Sequence, residues 1–302
     1  MTPQMTQQNI QSSTLYLKLI AVPILWGGTF IAGRIASAQL PAASSSWLRF
    51  VFASLSLLLI LHFTQGLQVL RTLTHKQWLA TAALGATGIL SYNLFFFNAL
   101  ALIPASRTAM FVALNPVITI LLATLFLGER LRALRWFGVL LALVGVLTVV
   151  TRGDFGRIAQ SFGRGECLML GAVTSWAVYT LIGRSVLSGL SPLVATTCAA
   201  LWGTLFLSVV AAPTLADLDL LQVSGHVWVS LMFLGVLGTA LAFVWYYEGI
   251  QKLGTARAVI FNNLVPVFGV LLAWLILGES IDSSLLLGGS LAIAGVFLVN
   301  RV

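Results

Sequence analysis

Residues Leu114–Arg130 read LNPVITILLATLFLGER, and Leu264–Ser280 read LVPVFGVLLAWLILGES. The two stretches set Pro116 against Pro266, Gly128 against Gly278 and Glu129 against Glu279, each pair 150 positions apart. Extended without a gap to 107–129 and 257–279, the comparison gives 12 identities in 23 positions, among them Arg107/Arg257 and Phe111/Phe261. The same offset aligns Trp26 with Trp176, Gly33-Arg34 with Gly183-Arg184, Trp78 with Trp228, Gly85 with Gly235, Gly138 with Gly288, and Gly145 with Gly295. The chain is two copies of one unit.

That unit is built for lipid. Of 302 residues, 59% are hydrophobic and 8% charged, against roughly 45–50% and roughly 25% in a soluble domain. Ten apolar runs approach the ~20 residues that a helix needs to cross a bilayer: Tyr16–Ala36, Trp47–Phe63, Trp78–Leu100, Ala105–Leu127, Leu134–Val150, Cys167–Ile182, Leu193–Ala212, Val227–Tyr247, Ala258–Leu277 and Leu285–Val299. Lipid offers no partner to a free backbone amide, and continuous hydropathy is not the alternating pattern of a barrel. The expected fold is an all-α polytopic membrane protein: residues 1–15 a disordered tail, 16–152 a first five-helix repeat, 165–302 a second. Five is odd, so the second copy should thread the membrane in the opposite direction. Inverted repeats are a recurring plan of secondary transporters, in which two similar halves expose one midplane site to each side in turn; some channels share it.

The net charge of +8 comes from basic residues scattered through loops and span ends, which points to topology and to no nucleic-acid partner. With the N-terminus inside, the cytoplasmic side collects Lys18, Arg71, Lys76, Arg130, Arg132, Arg135, Arg184, Lys252, Arg257 and Arg301. The other side has Arg34, Arg107, Arg152, Arg157 and Arg164, and Arg49 lies near the outer end of span two. The positive-inside rule then puts both termini in the cytoplasm, and the expected location is a bacterial inner membrane. Cys167 and Cys198, both in apolar runs, are expected to be buried free thiols. No metal site or cofactor is expected.

Proline inside a helix removes a hydrogen bond and clashes with the preceding turn, so Pro116 and Pro266 mark kinks that either hinge or simply bend spans four and nine. Gly-Glu after each run is expected to be a helix terminus. The small residues at 138, 142 and 145, echoed at 288, 292 and 295, suit close helix approach and make spans five and ten scaffold or dimer contact; the chain is expected to be a monomer or a homodimer.

An N-P or V-P inside an apolar helix that closes on Leu-Gly-Glu, followed by a G-x6-G-V span, occurs twice in ten spans. With LWGGTFIAGR around Trp26, Arg49-Phe50 opening span two, and SWAVYTLIGR around Trp176, this resembles the EamA-type members of the drug/metabolite transporter superfamily over Tyr16–Val302. The resemblance implies a central cavity lined by spans one, three, four, six, eight and nine, with spans two and seven as peripheral supports. Members carry amino acids, nucleotide sugars, phosphorylated sugars and other metabolites; the YddG-type amino-acid exporters are the subgroup favoured here.

Polar groups in a bilayer are costly and face the bundle interior. The expected substrate cavity therefore takes Trp26 from span one, Tyr92, Asn93 and Phe96 from span three, Asn115 from span four, Trp176 and Tyr179 from span six, Tyr246 from span eight and Asn262 from span nine. Against this, Trp and Tyr at span ends form interfacial belts, the reading given to Trp47, Trp78, Trp136 and Trp228, and mid-span Asn can merely bridge helices. Apolar walls with a few fixed amides suit a neutral or zwitterionic solute. Residues 1–128 contain no Asp or Glu, which disfavours cationic drugs. Glu248 is the candidate coupling acid, with an interface pair to Lys252 as its structural alternative. Sugar-phosphate or nucleotide-sugar exchange is the second choice. A channel or an intramembrane enzyme is a weaker reading, for no H-E-x-x-H, G-x-S-x-G or Walker motif occurs.

Overall fold

The computed structural model describes residues 3–128, 132–157, 161–186, 189–253, 258 and 261–300. Glu129, Arg130, Arg257 and Arg301, which entered the repeat and charge arguments, lie outside the described residues. Among those described, nine helices are long and apolar enough to cross a membrane, and Val265–Leu277 adds a shorter tenth. In chain order the helices are α1 (Pro3–Ser37), α2 (Ala42–Thr64), α3 (His75–Leu84), α4 (Tyr92–Leu102), α5 (Ala105–Phe111), α6 (Asn115–Leu127) and α7 (Ala133–Thr151), followed by α8 (Arg164–Val186), α9 (Pro192–Ala216), α10 (Gly225–Met232), α11 (Ala242–Leu253), α12 (Val265–Leu277) and α13 (Ser283–Asn300). Helix α1 starts at Pro3. Proline is well suited to a first turn, whose N–H groups have no intrahelical partner.

Two joints recur in both halves. Gly85–Ser91 links α3 to α4 and Phe233–Leu241 links α10 to α11, each as π-helical turns. The wider turn is stitched by a side chain reaching five residues back: the Ser91 hydroxyl donates to Ala86 O at 2.9 Å and that of Thr239 to Leu234 O at 2.8 Å. Such insertions re-aim the side chains that follow and are frequent at functional sites.

The prolines do not kink a continuous helix. After α5 the chain passes through a 3-10 turn, Val112–Leu114, and Pro116 sits in the first turn of α6; Pro266 does the same in α12. Each ring thus lies where no backbone donor is needed.

Gly128 and Gly278 end α6 and α12 with φ of 68° and 67°, a left-handed conformation that costs glycine little. Glu279, just beyond, crosses to the start of α5, where its carboxylate accepts from Ala105 N at 2.8 Å and Ser106 N at 2.9 Å. These are two of the unsatisfied donors of a helix start, where negative charge is also favoured by the dipole. Glu279→Ala should lower stability by ~1–2 kcal/mol, the usual worth of a helix cap, and Glu279→Gln by less; thermal unfolding in detergent measures both.

Helices α7 and α13 pack along each other through their glycines. A Cβ at Gly138 would lie 2.7 Å from Gly295 O, and one at Gly145 would lie 2.5 Å from Gly288 O. The small-residue stripes are therefore spent inside one chain, as scaffold. Helices α2 and α9 also pair, with Ser54 and Thr204, 150 positions apart, sharing a 2.9 Å hydroxyl hydrogen bond and Thr204 Oγ1 donating to Phe50 O at 3.1 Å.

The tryptophans divide differently from expectation. Trp136 is exposed, as an outward belt residue should be, but Trp47 and Trp228 pack on the core and Trp78 meets Trp202 edge to face. An indole at a span end still buries its apolar body wherever a neighbouring helix comes close. Cys198 is buried and Cys167 is exposed; an apolar run has a lipid side as well as an interior side.

Candidate functional site

Helices α1, α4, α8 and α11 bring a group of aromatic side chains into contact. From α1, Trp26 donates its indole N–H to Gly238 O at 3.1 Å, in the second π-helical joint. That bond orients the indole against Phe243, with centroids 5.6 Å apart, and Tyr246 at 5.3 Å, both edge on. From α8, Trp176 meets Tyr92 at 5.3 Å, stacks on Tyr179 at 5.1 Å and reaches Phe243 at 6.4 Å. Phe243 therefore bridges the two tryptophans that the repeat relates. Tyr92 in turn stacks on Phe96, which is fully buried.

Trp26, Tyr92, Trp176, Tyr179, Phe243 and Tyr246 are all only half-buried, although each touches a neighbour across the bundle. At these spacings the rings pack on one another, and a solute could meet only the faces and edges left uncovered.

One polar group touches this ring, and one in the other half matches it in having an unpartnered oxygen. Asn262, beyond α11, donates its amide to the Tyr246 hydroxyl at 3.1 Å, while its Oδ1 is buried with no partner; Asn115 Oδ1, beside Pro116, is orphaned in the same way. Two bare acceptors at the two chain breaks are suited to a donor from outside the protein. Asn93 is placed differently from expectation. Its Oδ1 accepts from Arg49 at 3.0 Å and its Nδ2 donates to Ile89 O at 2.8 Å. Its amide joins helices and does not project into the aromatic space.

Three residues outside the expected cavity set contact these groups. Phe243 looks like any apolar residue of a span. Thr239 hydrogen-bonds the second guanidinium nitrogen of Arg49 at 3.2 Å. Arg49, expected near a span end, is buried at 8% exposure; the signal was a single Arg within an otherwise apolar run.

Charge elsewhere sits at the two ends. Glu248 accepts from Lys18 of α1 and from Lys252, both at 2.7 Å. This is the interface pair weighed against coupling, extended to a second helix. At the opposite end Arg107 pairs with Glu166 at 3.0 Å, and Arg34 donates to the carbonyls of Leu100 and Ile103 where α4 stops. A cavity of about 230 Å³ opens there, lined by Ser106, Arg107, Arg152, Glu279 and Asp282 among others. The Ser284 hydroxyl holds the Asp282 carboxyl below the usual carboxylate range, against the effect of burial and with help from Leu285 N–H, Arg152 and Arg107. The cavity is separate from the aromatic ring. Among the described residues no group of three or more His, Cys, Asp or Glu could hold a metal ion.

The geometry can now be set beside known proteins. The EamA-like transporter family matches twice, over residues 13–151 and 163–301. A Bacillus subtilis (strain 168) protein named "Uncharacterized transporter YyaM" is 29% identical over 290 residues, covering 95% of this chain and 94% of its own. The "Probable terminal-alkyne amino-acid exporter" of Streptantibioticus cattleyicolor is 28% identical, with 94% and 92% covered. The "Probable amino-acid metabolite efflux pump" of Salmonella typhimurium is 25% identical, with 94% and 93% covered. A solved crystal structure at 21% identity superposes with a TM-score of 0.65 over 95% of this chain and 96% of that one, which speaks for the fold alone.

Proposed function

This chain belongs to the EamA-like transporter family, and on that premise we propose that it carries amino acids with aromatic or other apolar side chains. As a member of that family it is a multi-pass secondary transporter and not an enzyme. The observation that carries the finer reading is the half-open aromatic ring of Trp26, Tyr92, Trp176, Tyr179, Phe243 and Tyr246. It offers apolar walls, and the bare amide oxygens of Asn115 and Asn262 offer acceptors for an ammonium group. Two relatives whose printed names refer to amino-acid or amino-acid metabolite export lend support.

In this reading the halves are inverted five-helix repeats, both termini are cytoplasmic, and the net direction is outward. The breaks at Pro116 and Pro266 act as hinges when the halves rock around the aromatic site. Counterflow tests it: proteoliposomes are preloaded with one unlabelled amino acid at a time, and labelled phenylalanine, methionine or threonine is supplied outside. Accumulation above empty liposomes, strongest for phenylalanine and methionine, is expected. Accumulation with sugar phosphates in place of amino acids would replace this reading with an exchanger of phosphorylated solutes, and conductance beyond ~10⁶ ions per second would replace it with a channel.

A further inference from the structure

We propose that Arg49 binds the carboxylate of the transported solute, an inference that rests on the amino-acid reading above. Its guanidinium is a cation inside a lipid-embedded bundle, where an uncompensated charge is expensive. Three other cations of the helices are compensated. Arg107 and Lys18 have carboxylates, and Arg34 has carbonyls at the negative end of a helix. Arg49 has no anionic partner: it donates to Asn93 Oδ1 at 3.0 Å and Thr239 Oγ1 at 3.2 Å, its guanidinium carbon lies 5.4 Å from the centroid of the Phe50 ring, and its Nε is buried with no acceptor. No described carboxylate pairs with it.

The duplicated architecture separates scaffold from function at this position. The repeat offset sets Arg49 against Ala199. The backbone crossing is the same in both halves: a Cβ at Gly235 would lie 2.6 Å from Arg49 O, and one at Gly85 would lie 2.9 Å from Ala199 O. The second copy makes this close approach with a methyl group, so helix packing here does not require a cation.

The partners of Arg49 tie it to the aromatic ring. Asn93 follows Tyr92, which touches Trp176, and Thr239 follows Gly238, whose carbonyl orients Trp26. From Thr239 to Phe243 is ~6 Å along the helix, about the reach of phenylalanine from carboxylate to ring. A single guanidinium beside apolar walls matches a monovalent carboxylate better than a divalent phosphate, which calls for more than one cation.

Asn93→Asp provides the discriminating test. It sets a resident carboxylate against the guanidinium, which serves any purely structural role of Arg49 at least as well as asparagine does. The same change blocks an incoming carboxylate; it also removes the Nδ2 donation to Ile89 O. Asn93→Leu makes that loss without adding a charge, so Asn93→Leu, which should keep the acid-over-amide preference, is the control. In proteoliposomes of the full chain, labelled phenylalanine counterflow is competed with phenylalanine, with phenylalaninamide, which lacks the carboxylate, and with phenyl phosphate. In the wild type the amide should compete at least tenfold more weakly than the acid. In folded Asn93→Asp and Arg49→Gln, phenylalanine should lose ten- to a hundredfold in apparent affinity, as for a lost hydrogen bond to a charged group, and the preference for acid over amide should vanish. Asn93→Asp that retains wild-type affinity and preference overturns the assignment, as does a wild type that competes equally with acid and amide or best with phenyl phosphate. A wild type that takes up no amino acid overturns the functional reading and this inference together.

Discussion

Gly145→Leu is expected to abolish recovery of folded protein, and Gly145→Ala to destabilise it by ~2–3 kcal/mol, at the upper end of the range for overpacking a filled interface. The added methyl would be driven against the backbone nitrogen of Ala292 and to 2.5 Å from Gly288 O. Neither is the movable end of a side chain, so α7 and α13 must separate along their length. In lipid this seam has no hydrophobic effect to restore it; contact between small residues is itself the driving force. Gly183→Ala is the control, because nothing lies within 4 Å of the new carbon and a helix-interior alanine is favoured over glycine by roughly 0.5–1 kcal/mol. Thermal unfolding followed by size-exclusion chromatography separates the two; a fully stable Gly145→Leu would mean that the seam does not hold the bundle.

Trp176→Ala is expected to lower phenylalanine counterflow more than tenfold while leaving the protein folded. The indole joins Tyr92, Tyr179 and Phe243, and aromatic pairs contribute about 0.5–1.5 kcal/mol each beyond buried area. Because Trp176 is only half-buried, its removal leaves no sealed void in the core. Trp176→Phe should retain most of the flux, and Trp136→Ala, on the outward face of α7, should retain all of it. Equal loss in Trp136→Ala would point to a general effect of tryptophan on membrane insertion. Undiminished flux in Trp176→Ala would remove the aromatic ring from the transport site.

Much of the aromatic cluster was legible in the chain. Trp26 and Trp176 stood out because each lies well inside a span and they match in the repeat, and the structure brings both to Phe243. Tyr92, Tyr179, Phe96 and Tyr246 join them by ring contacts, and Asn262 by its bond to Tyr246. Asn93 was correctly read as interior but not as the partner of Arg49, since hydropathy does not say which neighbour a buried amide will meet. Arg49 itself was taken for a span-end residue because the start of an apolar run does not reveal how deeply a neighbouring helix covers it.

The all-α fold class, the spans and the duplication follow from the sequence by itself, because hydropathy and a constant offset of 150 residues are properties of the chain read along its length. The bilayer leaves so few backbone solutions that no tertiary information is needed to choose helices. Only the tertiary structure decided where the chemistry gathers. Arg49 meets Asn93 across 44 positions and Thr239 across 190, and Glu279 caps α5 from about 174 away. Such contacts depend on which helix faces cross and at what depth, and that is settled by close packing between glycines, π-helical joints and proline breaks acting together rather than by any local run of residues.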